Sequence, residues 1–556
     1  MKQLSALDAL FLYLETPDTP MHVGSVTVLE KPKGHRGSFY NKFRAHIVAR
    51  HHLAELFSQK LAFVPFDLAN PIWVEASEID FDWHIQTLTL AKPGSRVQLD
   101  AAIGKLHQGM LDRDRPLWQF TLIEGLASSE IAFYAKIHHA ALDGQGGVAL
   151  AQAILDVTPK PALVSAVGKL NTTKSSPLSV LSSTKMIAAA LRNSAAQYKK
   201  ILTSAPAALR AAASFGVSAL SSSQAKKLGA PTEQLTGVAG MNTIAASANR
   251  LGKLKSADTP LQAAKKLLPK GMKLGPRTPL NVAVSGERTF KTARIPLVEV
   301  KAVAKHFDVK LNDVMLAICA GALRRYFASS PETVKKSMIA AVPVSLRNPA
   351  STGDMSGTGS TGDTVGNNQV SMMLIDLATN IADPVKRLHA IHSASMSAKK
   401  SAGIMKGVLS SAVSDLPTLG IPWLMSVITP LYKTAVASNR IPVIANVVVS
   451  NVQGSPVPLY LAGAKMHEYY PVSIVTHGLA LNITIFSYAG NLDIGLIAAK
   501  KTVPKLDKIA KHMVAAHHEL LAVMTSAIAV NKVTEHIATN LKTTTRKATN
   551  YIAKRQ

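Results

Sequence analysis

The stretch Lys136 to Gly147 reads KIHHAALDGQGG. The run leading into it, IAFYAKIHH (Ile131 to His139), has the composition of a strand. The residues after it, GGVALAQAILDV (Gly146 to Val157), have the apolar spacing of a helix. Two imidazoles therefore stand where a strand gives way to a helix. Histidine is the side chain best suited to exchange a proton near neutral pH. Neighbouring strand residues point to opposite faces. His138 and His139 cannot both face one substrate unless the strand has already turned, so one is expected to react and the other to be structural. Two further pairs, His51-His52 and His517-His518, act as internal controls. Both fall in expected helices, and neither is followed by Asp-Gly at the same offset.

Other chemistries fit the stretch poorly. No third metal ligand lies at a helical spacing and carboxylates are few, so no metal is expected. The single cysteine, Cys319, excludes a disulfide framework and a Cys-based zinc site. No GxSxG elbow is near the pair, and the chain has no Walker-type loop.

Working outward, Trp118 to Leu126 (WQFTLIEGL) reads as a strand forming a hairpin with Ile131 to His139, and His22 to Glu30 (HVGSVTVLE) as another strand. Ser38 can cap a helix running to about Leu61, with Phe39, Phe43, Ile47 and Leu53 on its apolar side. After about residue 160 the texture changes to Ala, Ser, Lys and Gly, with helical spacing at Ile187, Leu191, Ala195, Tyr198 and Leu202. From about 286 strands and helices return. Asn312 to Phe327 reads as a helix capped by Asn312, and Ser337 to Leu346 and Val443 to Val452 as strands. Gly353 to Gly366 reads as a loop, Leu479 to Ala498 as a hairpin turning at Gly490-Asn491, and Lys505 to Val530 as a closing helix. The expected organisation is an α/β half over 1–160, a basic connector over 161–285, a second α/β half over 286–530 and a basic tail over 531–556.

The 556 residues exceed one ordinary core, and 47% hydrophobic content excludes general disorder. The net charge of +28 is concentrated. Leu163 to Leu280 holds 17 Lys/Arg against Glu233 and Asp258, and Asn531 to Gln556 holds six against Glu535. With 5% aromatic residues the basic segments lack stacking partners for nucleic acid, which is not expected as a partner. The N-terminus reads as mature protein, since Asp8 and Glu15 interrupt its apolar stretch. No apolar run reaches the roughly eighteen residues of a spanning helix. The nearest, Leu419 to Tyr432, contains Pro422 and Pro430.

HHAALDG matches HHxxxDG, the signature of the CoA-dependent acyltransferase superfamily. Further stretches resemble one branch of it, the bacterial wax ester synthase/acyl-CoA:diacylglycerol acyltransferase family. These are LDALFLYLETPDTPMHVG (Leu7 to Gly24), PLW (Pro116 to Trp118), Asn312-Asp313 in LNDVMLA, VPVSLR (Val342 to Arg347), GNNQ (Gly366 to Gln369), SNVQGS (Ser450 to Ser455) and LYLAGAK (Leu459 to Lys465). The resemblance implies two chloramphenicol-acetyltransferase-like domains of α/β (α+β) class, mixed sheets flanked by helices, with the active site in a tunnel between them. It implies acyl transfer from acyl-CoA, a co-substrate and not a cofactor, to a long-chain fatty alcohol or diacylglycerol, with no cofactor required.

On that resemblance His139 is the general base and His138 holds the turn. Asp143 is structural, with Arg347 its candidate partner, and Gly144 supplies a backbone shape that a Cβ would block. Asn312, Asn451 or a backbone N–H are candidates for the oxyanion donor, with Asp313 in support. Pro116, Leu117 and Trp118 are candidates for the acyl-channel wall or for plain core. Insoluble products imply work at a lipid surface. The expected location is cytoplasmic, peripheral to the anionic inner membrane face or lipid inclusions, through the connector, the tail and Leu419–Tyr432. The rival readings are a condensation-type acyltransferase with another donor or acceptor, and a non-catalytic lipid-droplet scaffold.

Overall fold

A computed structural model describes residues 2–553 except 33, 129, 143–145, 162–273, 330–334, 346–369, 415–420 and 440. In chain order the helices are α1 (Ala6–Leu14), α2 (Tyr40–Arg50), α3 (Phe81–His84), α4 (Arg96–Leu106), α5 (Gly146–Ile154), α6 (Leu297–His306), α7 (Leu311–Tyr326), α8 (Pro384–Ser414), α9 (Ile421–Ala437) and α10 (Leu506–Ala553). The strands are β1 (Lys2–Gln3), β2 (His22–Glu30), β3 (Gln59–Ala62), β4 (Ile72–Glu75), β5 (Ile85–Thr89), β6 (Trp118–Glu124), β7 (Ile131–His138), β8 (Leu155–Asp156), β9 (Arg288–Pro296), β10 (Ile339–Ser345), β11 (Val370–Asp376), β12 (Val447–Gln453), β13 (Tyr460–Leu461), β14 (Ala464–Val472), β15 (Leu481–Tyr488) and β16 (Asn491–Ala499).

Two mixed sheets carry the molecule. A seven-stranded sheet runs β5-β6-β7-β2-β14-β13-β8, and a six-stranded sheet runs β11-β10-β12-β15-β16-β9. β1, β4 and β3 form a small third sheet. The first sheet is not made by the first half of the chain alone. β14 pairs antiparallel with β2 along its length, so a late hairpin completes the early sheet. The two sheets approach where β14 lies against β16. A Cβ at Gly495 would stand 1.8 Å from the Pro471 carbonyl, so only glycine permits that spacing. Between the sheets lies an apolar layer with Val26, Tyr134, Phe290, Tyr470 and Ile497. Outside it, α2 and α5 cover the first sheet through Phe43, Ile47 and Leu150. Helices α6, α7 and α10 cover the second, with Val300, Ile318 and Met513 in its core.

Several local expectations need correction. The helix opened near Ser38 ends at Arg50 instead of Leu61, and the chain makes two short 3-10 turns before β3. Leu53 accordingly lies 45% exposed, off the apolar face that Phe39, Phe43 and Ile47 form. Ser38 precedes the N-cap, Phe39, although its hydroxyl accepts from Tyr40 N–H. His51-His52 sit in a 3-10 turn. α5 stops at Ile154, and Leu155–Asp156 pair with β13. Asn312 does not cap α7. The N-cap is Lys310, whose N–H donates to the Asp313 carboxylate at 3.1 Å. α10 runs on through the basic tail to Ala553, because no glycine or proline interrupts it. No described helix is long and apolar enough to cross a membrane. The helical spacing over 187–202 and the 353–366 loop lie outside the described residues.

Candidate active site

β7 lies between β6 and β2 and is buried throughout. Ile131, Phe133, Ala135 and Ile137 pack toward α2 and α5, while Ala132 and Tyr134 face the second sheet. Alternation carries Lys136 and His138 onto that second face. The ladder ends at His138, paired with His22 of β2. The His138 N–H donates to the Leu117 carbonyl at 3.0 Å and the His139 N–H to Met21 at 2.9 Å. The chain then breaks into a 3-10 turn, His139–Ala141, so the two imidazoles diverge.

His138 is fully buried. Its Nδ1 accepts the Ala140 N–H at 3.1 Å, which fastens the turn. An accepting Nδ1 places the proton of the neutral ring on Nε2. That nitrogen faces Glu15 Oε2 at 3.4 Å, longer than a good hydrogen bond. Glu15, just beyond α1, is buried too. Its Oε1 accepts the Met21 N–H at 3.0 Å, and Oε2 accepts from Arg113 Nε at 3.2 Å and Nη2 at 2.9 Å. Burial pushes the Glu15 carboxyl up, but His138, Met21 and Arg113 together outweigh it and hold it below its ordinary value.

His139 has a different setting. Its ring stacks on Phe11 of α1, with centroids 3.9 Å apart and planes 14° from parallel. Nδ1 is buried with no hydrogen-bond partner among the described residues. The residue as a whole is half-buried. Burial pushes the imidazole down to about 4. At neutral pH the ring is therefore uncharged and able to take a proton.

Behind this pair lies a polar layer that composition did not reveal. Lys136 Nζ donates to the Leu106 and Gly109 carbonyls at 3.2 and 3.0 Å, and burial lowers it to about 8. His107 Nδ1 meets the Tyr134 hydroxyl at 2.7 Å, and His22 Nε2 meets the His107 carbonyl at 2.9 Å. Burial pushes His107 down to about 3 and His22 well below its usual value. Glu15 and His22 fall inside the Leu7–Gly24 stretch, which is where a signal for them existed. Phe11 reads there as ordinary core, and Arg113 lies 98 residues from its partner.

The other expected residues are placed as follows. Leu117 packs with Leu4, Leu12 and Ala140 beneath α1. Trp118 is fully buried in the outer core, its indole N–H donating to the Phe57 carbonyl at 3.1 Å, and Pro116 is buried beside them. Asp313 is buried, and its Oδ2 also meets His392 Nδ1 of α8 at 2.7 Å. Asn312 is half-buried near the start of α7, and Asn451 is exposed on β12. Among the described residues neither asparagine bonds to His139. Asp143, Gly144 and Arg347 lie outside the described residues. The site borders the second half of the chain. α1 packs on the 3-10 turn and against α8 and α9. Thr429 Oγ1 donates to the Tyr13 carbonyl at 3.0 Å, and Lys433 pairs with Asp18.

Residues 4–315 match the wax ester synthase/diacylglycerol acyltransferase catalytic domain, and 366–521 match the C-terminal domain of the same family. A Mycobacterium tuberculosis protein provisionally named diacylglycerol O-acyltransferase is 32% identical over 518 residues, covering 93% of this chain and 99% of its own. A Mycobacterium bovis protein with the same provisional name is 30% identical over 509 residues, covering 91% and 96%. In fold the chain is similar to the wax ester synthase/diacylglycerol acyltransferase of Marinobacter aquaeolei VT8. The TM-score is 0.59 at 24% identity, with 94% of this chain and 100% of that one covered. With both family domains present in order, the chain is an acyltransferase belonging to the wax ester synthase/diacylglycerol acyltransferase family.

Proposed function

We propose that the protein moves a fatty acyl group from acyl-CoA to the hydroxyl of diacylglycerol or a long-chain alcohol, with His139 as general base. The observation that carries this is the neutral, half-buried His139 ring, stacked on Phe11 where β7 breaks. Nε2 takes the acceptor's proton as its oxygen attacks the thioester carbon. The tetrahedral intermediate then expels the thiolate, and the imidazolium returns the proton to sulfur. No acyl-enzyme forms. Base assistance of this kind is worth about 10²- to 10⁴-fold. An imidazole near 4 is a weak base, so the site gives up some driving force in exchange for a ring that stays neutral. The oxyanion needs a donor, for which Asn312, Asn451 and a backbone N–H are the candidates.

The names of the mycobacterial relatives favour diacylglycerol as acceptor. Both acceptors are mostly hydrocarbon, and each buried CH₂ contributes about 0.8 kcal/mol, so broad chain-length tolerance follows. The enzyme works at an anionic membrane face or lipid inclusion. The basic segments over 163–280 and 531–556 supply electrostatic attraction of about 1 kcal/mol per cation near the surface. The test is thiol release from palmitoyl-CoA with hexadecanol, with dioleoylglycerol, and with neither. Release that depends on an acceptor and matches ester formed supports the reading. Equal release without acceptor contradicts it.

A further inference from the structure

The loop between β3 and β4 presents three apolar side chains to solvent: Phe63, Phe66 and Leu68, at 39%, 88% and 38% exposure. Its inner side is closed by Val64, Ala69 and Ile72, a small buried cluster of its own. The outward residues are therefore not a failed core, since the loop already has one. Phe66 and Asp67 both hold positive φ, 60° and 50°, a conformation that L-residues avoid. Two consecutive strained residues keep a large aromatic ring aimed away from the protein. Residues 61–72 carry one charge, Asp67, in a chain of net +28, so electrostatic attraction does not explain what the loop would meet.

The loop is fastened to α1 and the segment before it. Asn70 is fully buried. It accepts from the Tyr13 hydroxyl at 2.8 Å and donates to the Leu4 carbonyl at 3.2 Å, while its own carbonyl accepts from Gln3 at 3.1 Å. The Leu4 N–H donates to the Pro71 carbonyl at 2.9 Å. Tyr13 lies two residues beyond Phe11, the ring that stacks on His139.

We infer that this loop is a lipid-insertion element, in which Phe66, flanked by Phe63 and Leu68, enters the acyl-chain region of a lipid surface and seats α1 and His139 at the source of the acceptor. The inference rests on the proposed lipid acceptor, and it differs from the charge-driven contact of the basic segments. Insertion of an aromatic side chain follows buried apolar area and resists salt, whereas attraction by lysine and arginine is screened.

The test is flotation of the full chain with phosphatidylcholine vesicles containing dioleoylglycerol, at about 1 M salt, where the Debye length falls to about 3 Å. Phe66→Asn is the chosen variant, because asparagine tolerates positive φ and the native ring is exposed, so the fold is spared. Bound fraction is expected to fall about tenfold or more, and Phe66→Trp to restore it. Turnover of a water-soluble short-chain alcohol is expected to stay within about twofold. Flotation of Phe66→Asn equal to wild type overturns the inference, as does an equal loss of short-chain turnover. Flotation is read without turnover, so absence of acyltransfer to any alcohol sinks the proposed activity and leaves the flotation result standing.

Discussion

Glu15 shows how much of the site rests on one unremarked carboxylate. It joins the N-terminal segment to Arg113, to the Met21 backbone and to the face of His138. Glu15→Ala leaves the Arg113 guanidinium without its counter-charge, and the expected loss is about 3 kcal/mol. That is the low end for a broken buried pair, because Arg113 keeps some solvent. Urea denaturation measures it, and Glu15→Gln should lose less. The break after β7 was legible from sequence because the strand composition ends locally at the histidine pair. Glu15 was not, because an acid just past a helix reads as a solvated end and its partners come from distant segments. The same limit applies to Asn312 and Asp313. Either could have capped α7, and only the geometry at Lys310 decides for Asp313.

At the level of elements, caps and close approaches set the frame. Asp313 both ends the ladder of free N–H groups at α7 and holds His392 of α8. Asp313→Ala is expected to cost about 1–2 kcal/mol, read as a lower urea midpoint with unchanged slope. Gly24 in β2 allows β7 to pair beside it, since a Cβ there would fall 2.3 Å from the Ala135 carbonyl. Gly24→Ala should therefore cost about 2–3 kcal/mol and disturb the strand that delivers His139; thermal unfolding checks it. Hairpins were legible because composition and turn residues mark them: β15 and β16 turn at Ala489-Gly490, one residue before the expected position. The end of α2 was not, since residues 51–57 continue a helical composition that tertiary packing overrides with 3-10 turns and the small third sheet.

For the molecule as a whole, the pairing of β14 with β2 is the feature that sequence could not show. A strand that joins a distant sheet has the same local pattern as one that joins its neighbour, and only long-range burial separates them. The whole molecule also carries a pH signature. Burial lowers His84 and His139 to about 4 and His107 to about 3, and lowers His22 well below its usual value. Each is neutral when folded but protonates near 6.5 when unfolded, so their stabilisation is complete above about pH 6.5. It declines as pH falls through 6.5 toward 4, by several kcal/mol in sum. Asp493, pushed up to about 6 by burial, and Asp100, raised by burial, work in the opposite direction, but His46, His477, His512 and His517 are lowered by burial as well. The melting temperature is expected to drop between pH 7 and pH 5, and a flat profile would contradict these assignments. The most direct test of the central claim is kcat/KM for His139→Ala with palmitoyl-CoA and an acceptor, on protein shown folded by circular dichroism. A loss of about 10²- to 10⁴-fold is predicted; activity retained within a few-fold would show that His139 is not the base.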